Sequence, residues 1–465
     1  MNQTILFGSV VVYLLFIIVL GLYFSRREVK DSDDFMIAGR RLPRIVLIGT
    51  LLATWVGSGT VIGGASFIYQ YGPLASIFFF AGAPLGIIVL YFIADKARSL
   101  EKYTVPEMLE IRYGKLTGLL AALIIILAYV GITSYQFIGG GYILNIVTGL
   151  PVETGTAITA VVVIILAATG GLFSVAYTDF ISSLFIIVGF LLGGSIVLGE
   201  LGGFSELAAK LPPEKITWTG GLSFVQLLGY FLPLFLLILG DQNMYQRFSA
   251  AKNAETAKRS TVGFFFGNIL LVFLAILLAS SSIVLFPDIP PDTAILHLSM
   301  EKMPLIVGIM VLTSSVALII TSGNSYLLSA AGNLVYDFYI RLRGKNLSQS
   351  QQLRFHRWVV VGLGFFAYVL GTYFPSVLEA QMYSYTMYGA TITPVILASF
   401  LWKRVNSAGA IATIITGGAA TLFWEMVLDK PFGWNSVLFS FPLSVLALLI
   451  FTRFSTPNAE TKESH

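Results

Sequence analysis

The sequence predicts an all-α integral membrane protein with about 13 transmembrane helices. Its 465 residues are 56% hydrophobic and only 11% charged, against roughly 25% charged in a soluble domain, and its mean hydropathy is +0.84. Apolar runs of about 20 residues, long enough to span a bilayer, recur along the chain. Lysine and arginine collect in alternate loops, as expected of cytoplasmic ones.

The runs fall at residues 5–24, 43–70, 74–95, 116–147, 153–173, 176–198, 222–246, 260–286, 304–340, 358–374, 377–402, 407–427 and 432–452. Placing the N-terminus outside puts Arg26, Arg27, Lys30, Arg40, Arg41 and Arg44 in the first inner loop. Later inner loops hold Lys96, Arg98, Lys102, Arg112 and Lys115, then Arg247, Lys252, Lys258 and Arg259, then Arg341, Arg343, Lys345, Arg354 and Arg357. Lys403, Arg404, Arg453 and Lys462 complete the set, so of 28 basic residues only Lys210, Lys215, Lys302 and Lys430 lie outside. An odd number of spans then leaves the C-terminus cytoplasmic, in the plasma (inner) membrane. The net charge of +4 is topogenic and, without a basic patch interleaved with exposed aromatics, signals no nucleic-acid partner.

The first span lacks a basic segment before it and is followed directly by Arg26 and Arg27, so it reads as a retained helix. The absence of cysteine leaves neither a disulfide framework nor a thiolate metal site. The loops near 199–221 and 96–115 are too short to bury a core of their own. The chain therefore reads as one transmembrane domain over 1–455: an extra helix 5–24, a core 43–402, two extra helices within 407–452, and a disordered cytoplasmic tail 456–465. Segment 101–113 has Thr104 and Glu107 at capping-box spacing with Pro106 in the first turn, and predicts a short surface helix.

Two spans carry polar or glycine interruptions. The first contains Ala53-Thr54-Trp55-Val56-Gly57-Ser58-Gly59-Thr60 and the second Leu239-Gly240-Asp241-Gln242-Asn243. Counting the N-terminal span as zero, these are the first and sixth, equivalent positions in a five-plus-five inverted repeat. Gly59 and Gly63 alone would read as a packing motif. Paired interruptions in the two halves point instead to a mid-membrane binding site.

Ionisable groups at membrane depth are functional candidates. Asp179 falls at the cytoplasmic start of the fifth span and Asp241 in the sixth, whereas Arg247 reads as a snorkelling boundary charge and Glu379 and Glu425 as interfacial. The eighth span holds Thr321, Ser322, Asn324 and Ser325; helical spacing puts Thr321, Asn324 and Ser325 on one face with Ser322 alongside. Such hydroxyls often only back-bond to the preceding turn. Four within five positions, beside a helix whose interruption frees carbonyls, favour a site for a hard cation such as sodium. His297, His356 and His465 are scattered, read as solvated, and form no ligand spacing or nucleophile pair, so no enzyme chemistry is indicated.

Over roughly residues 5–455 the chain resembles the sodium/solute symporter family, through Gly170-Gly171-Leu172-Phe173-Ser174-Val175-Ala176-Tyr177-Thr178-Asp179, Gln246-Arg247, Thr321-Ser322-Gly323-Asn324-Ser325-Tyr326-Leu327-Leu328 and Asp337. Leu51 to Gly57 and Ser174 to Asp179 look most like its choline-transporter-like members, and Gln136-Phe137-Ile138-Gly139-Gly140 like its pantothenate-type members. The resemblance implies a LeuT-type core of ten helices. It implies a sodium site formed by the carbonyls of Ala53, Val56 and Leu318 with the side chains of Thr321 and Ser322, and a second sodium at Asp179, Thr321, Asn324 and Ser325. It also implies a solute site lined by Trp55, Ser58, Tyr135, Gln136, Asp241, Gln242, Tyr245, Tyr383 and Tyr385. Leu318 and Asn324 depart from the commoner Ala and Ser or Asp, and Asp241 stands where choline-type members have Trp.

The expected activity is sodium-coupled import of a small polar organic solute by alternating access, with sodium as coupling ion and no organic cofactor. An unpaired Asp241 facing Trp55 would favour a cationic or amine-bearing solute, with a donor network from Gln242 and Tyr245 as the alternative. The rivals are a proton-coupled carrier or uniporter of a small carboxylate or amino acid, in which Asp179 or Asp241 titrates, and a sensor or channel on the same fold. The sequence leaves oligomeric state open.

Overall fold

The structure, a computed structural model, describes residues 3–28, 32–100, 102, 104–169, 172–340 and 349–455. Among these, the regular elements are helices, joined at one point by an isolated bridge between Leu42 and Ala251. The first half of the chain forms α1 (Gln3–Glu28), α2 (Arg44–Trp55), α3 (Ala65–Tyr71, entered through a π turn at Gly59–Gly64), α4 (Pro73–Tyr91), α5 (Lys115–Thr148), α6 (Val152–Thr169) and α7 (Leu172–Leu201). The second forms α8 (Phe224–Gly240), α9 (Gln242–Ala250), α10 (Ala254–Leu285), α11 (Leu305–Gly332), α12 (Gln349–Gly371), α13 (Val377–Gly389), α14 (Ile392–Leu401), α15 (Ser407–Leu422) and α16 (Val437–Phe454).

Among the described residues nine helices are long and apolar enough to cross a bilayer, or ten when one bent pair counts as a span. The expected total of about 13 further requires α6, α12 and the α13–α14 pair to cross. Burial sorts the spans: the most apolar windows of α5 and α11 are 67% and 78% buried, that of α1 only 17%. Helices α5 and α11 therefore form the centre, while α1 lies against the outside of α7, where Ser174 Oγ donates to Gly21 O at 2.6 Å.

Three spans are broken. The α2–α3 pair bends by 58° and the α8–α9 pair turns at Asp241, with φ −57° and ψ 114°; both breaks fall where the sequence is interrupted. The third was not expected, because 377–402 reads as one continuous run. It opens at Ala390 and Thr391, where the Thr391 hydroxyl donates back to Met387 O and Tyr388 O and Pro394 sits in the first turn of α14, its tolerated place.

Basic loops gather at one end. Leu42 N–H donates to Ala250 O at 3.0 Å, Lys252 N–H to Leu42 O at 3.1 Å and Arg98 Nε to Ala251 O at 2.8 Å; Lys258 pairs with Asp95 at 3.2 Å, and Arg112 reaches Trp402 O at 2.9 Å. The short helix Val105–Tyr113 is there too, with Thr104 Oγ1 accepting from the Glu107 N–H at 3.2 Å. Lys215 and Lys430 instead hold Gln70 O and Glu379 at the other end.

Several sequence expectations need correction. Asp179 lies two turns inside α7, not at its start, because that helix begins at Leu172. His356 is buried rather than solvated: it shares a face of α12 with Val359 and Val360, three and four residues on. Glu425 is nearly buried, its side chain 8% exposed, because the chain after α15 folds back and brings Lys430 and Ser436 onto it. Lys30, Gly170, Gly171, Arg341, Arg343, Lys345 and the tail 456–465, with Lys462 and His465, lie outside the described residues.

Candidate ion and solute site

Where α2 ends at Trp55, the Val56 N–H still bonds to Leu52 O at 2.8 Å, but the chain then leaves the helix. The Ala53 carbonyl accepts instead from Ser322 Oγ of α11 at 2.9 Å. Close approach makes this contact possible: a Cβ added to Gly57 would lie 2.8 Å from the Gln136 carboxamide and 2.9 Å from Ser322 Oγ. Thr321 Oγ1 donates to Leu318 O at 3.2 Å. Ala53 and Ser322 therefore meet across α2 and α11, with Leu318 and Thr321 within about one turn of Ser322 on the same helix, and hydroxyls can rotate their lone pairs toward a hard cation. The buried Thr54 Oγ1 beside them has no donor or acceptor.

The same break carries the aromatic and amide groups. Ser58 N–H and Oγ both donate to Gln136 Oε1, at 2.9 and 2.8 Å. Tyr135 OH donates to Tyr385 OH at 3.1 Å, and the Trp55 and Tyr385 rings lie 5.9 Å apart. Trp55, Ser58, Tyr135, Gln136 and Tyr385 are thus brought together. Gln381, one turn before Tyr385, joins them against the π turn: a Cβ on Gly63 would come within 2.7 Å of its Oε1, which is buried with no donor.

The second break is built differently. Asp241 is not unpaired: Tyr129 OH donates to Oδ1 at 2.5 Å, Tyr326 OH to Oδ2 at 2.7 Å, and the Asn243 N–H to Oδ1 at 3.0 Å, capping α9. Tyr388 OH bridges the gap, accepting from the Gln242 N–H at 3.1 Å and donating to Gly240 O at 2.6 Å. The side chains of Gln242 and Tyr245, expected to serve the solute, are bonded elsewhere. Gln242 Nε2 donates to Asn333 Oδ1 at 2.9 Å and its Oε1 accepts from Val105 N–H, while Tyr245 OH donates to Leu239 O at 2.7 Å. Tyr383 also leaves the set; two residues from Tyr385 on one helix, it faces the opposite way, into an outer cavity with Glu379, Glu425 and Lys430.

Arg247 is the largest correction. It is fully buried, because its side chain turns inward from α9 onto α2, α7 and α11. Its guanidinium donates to Thr50 Oγ1 at 3.0 Å, Asn243 O at 3.2 Å, Ser325 Oγ at 3.1 Å and Asp179 Oδ2 at 3.3 Å. Thr50 Oγ1 in turn donates to Asp179 Oδ2 at 2.7 Å. Two of the groups expected at a second sodium, Asp179 and Ser325, therefore already hold a cation, although Asp179 Oδ1 and Asn324 Oδ1 are buried with no donor.

The profile of the sodium:solute symporter family matches residues 35–417. The chain belongs to that family. Its relatives include the sodium/pantothenate symporter of Escherichia coli strain K12, 24% identical over 96% of both chains. The osmoregulated proline transporter OpuE of Bacillus subtilis strain 168 is 25% identical over 95% of this chain and 93% of its own. Among solved structures, a Na+-coupled sialic acid symporter superposes with a TM-score of 0.81 at 20% identity, over 97% of this chain and 98% of that one. MhsT in complex with L-phenylalanine gives 0.61 at 16% identity over 88% and 98%. The symporter thus has the LeuT-type fold and works as a sodium-coupled secondary transporter of a small solute.

Tyr129, Tyr326, Tyr388, Gln381 and Thr50 were missed by sequence reasoning, yet helical spacing could have found them. Tyr129 is seven residues before Gln136, Tyr326 four after Ser322, Tyr388 three after Tyr385, Gln381 four before it and Thr50 three before Ala53.

Proposed function

We propose that this symporter imports a small amino acid or amide-bearing carboxylate with one sodium ion, both bound at the break between α2 and α3. The observation that carries this reading is the Ser322–Ala53 contact beside the Trp55, Ser58 and Gln136 cluster. Sodium there would take its oxygens from Ala53, Val56, Leu318, Thr321 and Ser322, lock α2 to α11, and so raise solute affinity through a positive coupling free energy. The solute's donors and acceptors would be met by Gln136, Gln381, Ser58 and the Tyr135–Tyr385 pair, and its apolar part by Trp55.

The relatives named for pantothenate and proline support the carboxylate class. A purely cationic solute loses its motive, since three donors already compensate Asp241. Arg247 beside Asp179 supports a single sodium: a second ion would set two cations around one carboxylate. The gathering of basic loops at one end supports an outside N-terminus and a cytoplasmic C-terminus in the plasma membrane.

Uptake into proteoliposomes tests the reading. Radiolabelled proline, pantothenate, choline and a sugar are offered under an inward sodium gradient, an inward proton gradient, or neither. Concentrative uptake of a carboxylate only with sodium, with a Hill coefficient near one for the ion, is the expected result. Uptake that follows the proton gradient without sodium, or that takes choline alone, rejects it.

A further inference from the structure

At the basic end of the bundle a groove of about 260 Å³ runs between α4 and α10. Ile87, Ile88 and Tyr91 form one wall and Thr261, Val262 and Phe265 the other, with Phe92 just past the end of α4. The Thr261 hydroxyl donates back to Lys258 O at 2.6 Å, so the groove offers hydrocarbon and aromatic surface. Ile88, Phe92 and Val262 are exposed, and the apolar stripe continues along α10 through Phe266, Ile269 and Phe273, also exposed. Spacings of three and four residues keep that stripe on one face of the helix.

The stripe ends in charge. Lys258 lies three residues before Thr261 and four before Val262, and Arg259 three before Val262, so both close the end of the groove. The Lys258 ammonium stands 5.0 Å from the centre of the Tyr91 ring and 3.2 Å from Asp95 Oδ2. Both side chains of that ion pair are 34–35% exposed, and an ammonium has three donors, which leaves it donors for a second anion. Arg259 is more exposed and pairs with Glu255 one turn back at 2.5 Å. Around them Lys96, Arg98, Lys252, Lys258 and Arg259 outnumber Asp95 and Glu255. An apolar trough with a net positive rim complements a molecule that joins a hydrocarbon chain to an anionic head. The same end carries the contacts of Leu42 and Arg98 with residues 250–252, so such a molecule would brace α4 against α10 beside them.

We propose that this groove is a binding site for an anionic phospholipid of the leaflet at the basic end. One acyl chain lies between α4 and α10 against Ile88, Val262 and Phe265. The head-group phosphate takes charge-assisted hydrogen bonds from Lys258 and Arg259. A zwitterionic lipid fits the same trough but gains less, because its own cation cancels the charge that the rim attracts. The site uses none of the groups at either helix break and does not depend on the proposed solute or its coupling ion.

Fluorescence quenching of the purified full chain in detergent tests this. Phe92 is 62% exposed, so Phe92→Trp sets an indole at the mouth of the groove without displacing its walls. Dibrominated phosphatidylglycerol and dibrominated phosphatidylcholine are titrated against it, and the signal of the parent's six tryptophans is subtracted. Saturable extra quenching by both lipids is expected, half-complete at about tenfold less phosphatidylglycerol, the share of roughly one or two basic side chains facing an anionic lipid. Lys258→Gln with Arg259→Gln should abolish that preference and leave the weaker quenching by phosphatidylcholine in place. If the charge variant fails to fold, raising potassium chloride from about 0.1 M to about 1 M should erase the preference in Phe92→Trp alone, because exposed charges are screened. Equal half-points for the two lipids overturn the proposal, as does a preference that survives the double charge variant or the high salt. Extra quenching by neither lipid also overturns it, and assigns the groove to a second copy if the chain then runs as a dimer.

Discussion

The two helix breaks occupy equivalent places in the two halves of the fold, yet they are closed by different chemistry. At the second, tyrosine hydroxyls, an aspartate and backbone groups satisfy one another: Tyr129 and Tyr326 saturate Asp241, and Tyr388 ties Gln242 to Gly240. At the first, the freed Ala53 carbonyl holds only a hydroxyl that can turn away, and the neighbouring Thr54 Oγ1 and Gln381 Oε1 have no partner. Buried polar groups left unpaired cost free energy until a ligand meets them. A break can serve as a binding site only where its polar groups are not already consumed, which favours the first break as the ligand site of the proposed function and the second as its support.

The largest expected effect comes from the residue that joins the two. Arg247 links Asn243 beyond the second break to Thr50, Asp179 and Ser325, so Arg247→Met strands a buried carboxylate and should destabilise by about 3–5 kcal/mol. Thermal unfolding in detergent measures this. Adding Asp179→Asn should restore part of the loss; a double variant no more stable than the single would show that the pair is not the cause.

Next in size, Asp241→Ala removes the cap of α9 and leaves two buried tyrosine hydroxyls unpaired, which should cost about 2–4 kcal/mol. Asp241→Asn keeps an acceptor and the cap, and should cost about 1 kcal/mol while sustaining sodium-driven uptake. Loss of uptake in a folded Asp241→Asn protein would give the second break a direct role in transport.

Ser322→Ala, at the first break, should do the reverse. Stability should change by under about 1 kcal/mol, because the hydroxyl leaves no donor stranded. The sodium concentration for half-maximal uptake should rise about tenfold, one lost oxygen ligand's worth at about 1.4 kcal/mol. Equal sodium dependence in variant and parent would remove the ion from this place.

The smallest effect concerns Asp292, which lies in the outer loop after α10 against Ser66, Tyr142 and the Val377 N–H. Burial, opposed by those donors, holds its carboxyl above the ordinary carboxylate range. A raised folded value means that its contribution to stability is complete below the ordinary carboxylate pKa of about 3.9 and is lost as pH rises through the folded value. Asp292→Asn should therefore raise Tm by about 1–2 °C near neutral pH, with the gain vanishing in acid. A gain that is the same at both pH values would point to packing rather than charge.

Much of this was legible in the chain itself. Membrane residence, the long apolar helices, the segregation of lysine and arginine, the breaks at Val56–Ser58 and Asp241, and the oxygen cluster at Thr321–Ser325 all depend on local composition and helical period, which a linear sequence carries. What the sequence could not carry is which faces of distant helices meet. Only the tertiary structure decided that Arg247 turns inward to Asp179, that Tyr129 and Tyr326 from α5 and α11 consume the Asp241 carboxylate, and that Lys430 folds back onto Glu379 and Glu425. The same packing sends Tyr383 outward while Tyr385 stays inside. A charge buried in a low-dielectric interior takes whichever partner comes within hydrogen-bond reach. For Arg247 that partner is fixed by contacts between residues 68 to 197 positions apart, from Asp179 with Arg247 to Thr50 with Arg247, and no local pattern records it.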